Sequence, residues 1–160
     1  MILYHGSNVE VNNPSIIESN RALDFGKGFY LTSDEEQAIR WAKAQKLRRR
    51  AEKAVVSKFE FDKESISDIR AKIFDGPDSE WLDYISANRK NIYDGELYDI
   101  VIGPVANDNT MTVISEYIAG TIDKETAIIL LKPQKLADQY AFSTKKALHY
   151  LEFKGADFYE

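Results

Sequence analysis

The chain has 160 residues, 44% of them hydrophobic and 29% charged, an ordinary globular composition that suits one domain with a real core and excludes a disordered tract. Its net charge of -5 supplies no basic footprint for nucleic acid, and the absence of cysteine excludes a disulfide framework and thiolate metal sites. With two histidines and no H-E-x-x-H pattern, no metal is expected.

The opening MILYHGSN carries neither a charged n-region nor a long apolar run. No stretch approaches the roughly 20 apolar residues of a membrane span. A cytoplasmic protein without a membrane partner is therefore expected.

Met1 to Tyr4 reads as a first strand that stops at Gly6-Ser7. Val9 to Phe25 is polar and irregular, with a turn at Asn12-Asn13-Pro14. Gly28 to Thr32 is a short strand rich in aromatic and β-branched residues. Ser33 followed by Glu36 spells a capping box, and Asp34 and Glu35 suit the positive end of a helix dipole. The helix is predicted from Asp34 to Lys53, with Ala38, Trp41 and Ala42 on one face. The basic run from Lys46 to Arg50 reads as a solvated helix face rather than a phosphate or RNA patch.

Ala54 to Phe61 alternates and predicts a strand. Ser65 to Arg89 predicts two short helices broken at Gly76-Pro77, and Tyr98 to Val105 a strand running into a Gly-Pro turn. Thr110 to Leu131 predicts two helices separated near Gly120. Asp138 to Phe142 is a strand, Ser143 or Thr144 caps a short helix, and Tyr150 to Tyr159 is extended. Helices and strands are interspersed without regular βαβ units, which indicates an α+β domain over residues 1–160 rather than a doubly wound parallel sheet.

Two motifs carry chemistry. In Tyr4-His5-Gly6-Ser7 a histidine ends a strand, where its ring can face a cleft, and a glycine lets backbone approach a ligand. Phe25-Gly26-Lys27-Gly28-Phe29-Tyr30 runs from glycines into a strand, so it is not the dinucleotide fingerprint, which follows a strand into a helix. Taken singly, each also fits a structural turn.

Together, in this order and spacing, the two motifs resemble the ADP-ribosyltransferase superfamily, in its His-Tyr-Glu branch of poly(ADP-ribose) polymerases and mono-transferring relatives. FGKGFYLTSD is similar to that family's FGKGIYFAD-type motif, and LYHGS to its first-strand His-Gly motif. The resemblance implies that NAD is the substrate, that His5 holds its ribose, that Gly6 clamps the nicotinamide amide through backbone, and that Tyr30 packs on the nicotinamide. Ser7 and Gly28 are implied to line the same site. Trp41, 11 residues after Tyr30 in the sequence, takes the place of the family's second aromatic, and it equally suits the core face of its helix. Arg21, ahead of FGKG, could pair with the pyrophosphate or stand on the surface.

The family's third position is a glutamate on a late strand. Gln139, followed by a strand, a helical turn and a final strand, is preferred for it over Glu116, which lies in a predicted helix. Glutamine can hydrogen-bond a hydroxyl but is neither a base nor an anion. Chain elongation is therefore disfavoured, leaving mono-ADP-ribosyl transfer, NAD hydrolysis, or a degenerate module that binds NAD or ADP-ribose. Asp108 is a conceivable source of acidic help.

Across nearly its whole length the chain also resembles a bacterial family of a domain of unknown function with an ADP-ribosyltransferase-like fold. The carrying segments are LYHGS, DFGKGFYLT, YDIVIGPVAND and DQYAFST. This implies a compact split antiparallel sheet with flanking helices. It also implies a toxin setting, with a small antitoxin as partner and a protein or nucleic-acid acceptor. An RNA-directed member of the superfamily would have only the basic run in its favour.

Overall fold

Hydrophobic alternation sorts the strands into two sheets. In the computed structural model, which describes residues 1–16 and 23–160, β1 (Ile2–Ser7), β3 (Ala54–Phe61) and β7 (Leu151–Tyr159) form an antiparallel sheet in the order β1-β3-β7. A second sheet is built from β2 (Phe29–Leu31), β4 (Ala71–Ile73), β5 (Ile100–Pro104) and β6 (Asp138–Phe142), in the order β2-β6-β5-β4. Its β4–β5 pair is parallel, so the expected antiparallel pattern fails at this one edge and holds in the other pairs. Helices α1 (Glu35–Arg49), α2 (Ser79–Arg89), α3 (Asp108–Ile118), α4 (Lys124–Leu131) and α5 (Lys145–Leu148) flank the sheets, and the class is α+β as expected.

The second sheet is covered on both faces. Along β6, Tyr140 and Phe142 join Leu3, Phe59 and Phe61 in a cluster shared by the two sheets, while Ala141 joins Trp81, Leu82, Ile85 and Ile114 beneath the helices. β5 divides likewise, Ile100 and Ile102 one way and Val101 the other. This is the period-2 geometry of a strand. Phe61 meets Phe142 edge-on at 5.3 Å. Each such buried side chain contributes about 1.5–3 kcal/mol.

Three local predictions need correction. The cap of α1 is Asp34, not Ser33: the Asp34 carboxylate accepts from the Glu36 and Gln37 N–H groups. Ser33 is drawn off by Asp138, which accepts from its N–H at 2.9 Å and its hydroxyl at 2.5 Å. The helix ends at Arg49 rather than Lys53 because Arg50 turns left-handed (φ 51°) and Ala51 N–H bonds back to the Lys46 carbonyl. The predicted helix after Ser65 is a 3-10 turn, Lys63–Asp68, followed by β4, and only α2 is an α-helix. Long-range pairing of Ala71–Ile73 with Ile100–Ile102 decides that short segment.

Among the described residues, no helix is long and apolar enough to cross a membrane.

Candidate functional site

Among the described residues, one backbone bridge joins the two sheets. Tyr4 N–H donates to the Thr32 carbonyl at 2.8 Å, and Thr32 N–H to the Tyr4 carbonyl at 2.9 Å. In a continuous antiparallel ladder the next such pair would be Gly6 with Tyr30. Instead the strands part, and the Tyr30 carbonyl accepts from His5 Nδ1 at 2.7 Å. Gly6, two residues beyond Tyr4, turns its N–H and C=O to the same side of β1 as Tyr4 does, into the opening.

Gly6 is also where α1 lies down on β1. A Cβ there would stand 2.2 Å from the Ala38 carbonyl oxygen and 2.8 Å from the Ala42 nitrogen. The glycine thus has a packing cause beside any ligand role. Helix and strand run close enough to bring Trp41 to the same point, its Cβ 3.0 Å from that position.

A carbonyl oxygen only accepts, so the 2.7 Å contact makes His5 Nδ1 the donor and leaves the neutral ring's lone pair on Nε2. Burial holds the His5 pKa below the usual histidine value, which favours that neutral form. The ring is fixed by stacking on Phe29, 4.2 Å between centroids at 23°. The Tyr30 hydroxyl donates to the Gly26 carbonyl at 2.5 Å and accepts from Phe25 N–H at 3.0 Å, tying the loop ahead of β2 onto the ring. Burial pushes its pKa far above the usual tyrosine range, so it stays protonated.

A cleft of about 380 Å³ opens at this split, and His5, Gly6, Gly28, Tyr30, Trp41 and Gln139 all line it. Its volume falls within the size range of small-molecule sites. Gln139 comes from β6, opposite Gly103 of β5, and is 3% exposed. Its Nε2 has no hydrogen-bond partner among the described residues. An orphaned buried donor is uncommon and costly, and one that lines a cleft suits an acceptor atom of a ligand.

Of the other expected residues, Ser7 closes β1 opposite Val55 and is not among the cleft-lining residues. Arg21 lies outside the described residues. Glu116 sits in α3, and Asp108 stands exposed in its first turn, and neither lines the cleft. Among the described residues the carboxylate that lines it is Asp24, which sequence reasoning missed. Asp24 Oδ1 accepts from Arg89 Nε at 2.6 Å and Nη2 at 2.5 Å. Desolvation raises the Asp24 pKa, and Arg89 opposes that rise. Gln45 and Arg48 were missed as well, although they follow Trp41 at the helical spacing that sets residues on one stripe.

Compared with known proteins, residues 1–153 match a family model described as "Protein of unknown function (DUF3990)". No curated protein and no solved structure matches the chain.

Proposed function

The chain belongs to the DUF3990 family, and from the chemistry of its cleft we propose that it is a mono-ADP-ribosyltransferase that uses NAD as substrate. The observation that carries the reading is the parted β1–β2 ladder, which sets an unprotonated His5 Nε2, the backbone of Gly6 and the unpartnered Gln139 Nε2 around one cleft. A nicotinamide carboxamide has one donor and one acceptor face, which matches the N–H and C=O of Gly6. A ribose hydroxyl can donate to His5 Nε2. Its oxygen, or that of a neighbouring hydroxyl, can accept from Gln139. The Trp41 indole offers a stacking face to the nicotinamide ring.

In the reaction the bond from ribose C1′ to the nicotinamide nitrogen breaks, and nicotinamide leaves with the electron pair as a neutral molecule. The acceptor nucleophile forms a new bond to C1′ and releases its proton. Gln139 supplies orientation and an amide dipole rather than charge, so positioning carries more of the rate than acid–base help. A toxin acting on a protein or nucleic acid inside a bacterial cell, held in check by a small antitoxin, is the setting we propose for it.

A second reading has one observation in its favour. Gln139 is not a carboxylate, and Asp24, the carboxylate lining the cleft, is already bound by Arg89. A degenerate module that holds NAD or ADP-ribose without turnover, or a slow NAD glycohydrolase, would have this composition.

Purified protein incubated with NAD, with free nicotinamide followed by chromatography, separates these readings. The transferase reading expects release, reduced roughly ten- to hundred-fold in His5→Ala and raised in Gln139→Glu. Release from Gln139→Glu alone would favour the binding module. Silence from the parent and Gln139→Glu, with no rise in melting temperature on adding NAD, would contradict the transferase.

A further inference from the structure

Four residues of α1 face the cleft: Trp41, Ala44, Gln45 and Arg48. Their spacing of three, four and seven from Trp41 makes one stripe along the helix. Of the basic residues near the end of α1, Lys46, Arg49 and Arg50 are not among the cleft-lining residues, and only Arg48 is. Arg48 makes no ion pair or hydrogen bond with any described residue. The other cation in the lining, Arg89, is held by Asp24. Among the described residues the cleft lining therefore holds one positive charge without a paired carboxylate.

Gln45 adds to this. Its Oε1 accepts from Arg49 Nε at 3.2 Å. That bond turns one Oε1 lone pair to Arg49, while the amide N–H groups stay available to the cleft. At the α1 side of the cleft Arg48 and the Gln45 N–H groups are donors, which suits a ligand group rich in acceptor oxygens.

Position along the helix indicates which part of that ligand each residue meets. Seven residues separate Trp41 from Arg48, about 10 Å of helix at 1.5 Å per residue. That is roughly the reach from a stacked base, across its ribose, to the 5′-phosphate. Resting on the NAD reading above, we propose that Arg48 and Gln45 form a diphosphate subsite at the outer end of the cleft, which takes the bridging phosphates of a dinucleotide. The planar guanidinium gives two parallel N–H bonds to non-bridging phosphate oxygens, and Gln45 gives a third.

Calorimetric titration of the full chain with ADP-ribose and, separately, with nicotinamide tests this. Arg48→Ala is expected to weaken ADP-ribose binding roughly ten- to fifty-fold and to leave nicotinamide affinity unchanged, with Arg48→Lys in between. Added salt should weaken ADP-ribose binding to the parent more than to Arg48→Ala. Arg48 is exposed and unpaired among the described residues, so an unchanged melting temperature is expected in both variants. Equal ADP-ribose affinity in parent and Arg48→Ala, with binding lost in Gln139→Ala, would overturn the subsite and leave the cleft reading standing. Loss of nicotinamide affinity in Arg48→Ala would overturn it too, by marking a structural role. So would an effect on binding of a short RNA with none on ADP-ribose. A parent that binds neither ADP-ribose nor nicotinamide would end the NAD reading first and the subsite with it.

Discussion

His5 shows how one hydrogen bond sets a residue's chemistry. The Tyr30 carbonyl fixes the tautomer, and burial keeps the ring neutral. Because the folded pKa is lowered, the unfolded chain takes up the proton more readily. The contribution to stability is therefore whole above the free-histidine value of about 6.5 and is lost as pH falls through it. His5→Asn retains a side-chain N–H donor without a titrating ring. The melting temperature of the parent should fall more steeply than that of His5→Asn between about pH 6.5 and 5. Parallel curves over that window would remove His5 from the role. LYHGS and FGKGFYLTSD together, in this order and spacing, singled out this histidine. What they could not give is the tautomer, which depends on a carbonyl brought in from β2 by the sheet split. Gln139 was legible from the strand, turn and strand that follow it. Its orphaned amide was not, because burial is a property of the packed fold.

At the scale of elements, α1 and β1 build the cleft together, and Gly6 is their point of contact. The expected role of this glycine was backbone access for a ligand. Its packing role is as strong, since a Cβ would meet the backbone of α1 at Ala38 and Ala42. Gly6→Ala should therefore lower stability by about 1–3 kcal/mol, read from the urea midpoint, as the helix is forced off the strand. Gly76→Ala is the control, because nothing lies within 4 Å of a Cβ there. Equal midpoints for the two variants would show that the close approach at Gly6 is not sustained. Ala54–Phe61 and Asp138–Phe142 were legible to the residue from their apolar, β-favouring residues, although burial along them is nearly continuous rather than alternating. The segment from Lys63 to Ile73 was not, since a three-residue edge strand leaves too few positions for a period and depends on its partner β5. The basic run on α1 was read as solvated. Arg48, Arg49 and Arg50 are indeed exposed and Lys46 is half-buried. Arg48 in addition lines the cleft, and its place on the Trp41 stripe is the signal that could have found that.

At the scale of the whole molecule, two sheets joined at Tyr4 and Thr32 diverge just beyond that pair, and the residues of both motifs meet where they part. Among the described residues Arg48 is the cleft-lining cation without an ion pair. The α+β class and most strand positions were readable from pattern. The gathering of Gly6, Tyr30, Trp41 and Gln139 needed the folded chain. Its two tryptophans make the central claim accessible to direct measurement. Trp81 is fully buried with its indole N–H on the Pro104 carbonyl, whereas Trp41 lines the cleft. Tryptophan emission should therefore report on Trp41 when NAD is titrated into the protein. Saturable quenching by NAD that disappears in Trp41→Phe is the predicted result. An emission that NAD leaves unchanged, together with a melting temperature that NAD does not raise, would contradict the assignment of this cleft to NAD.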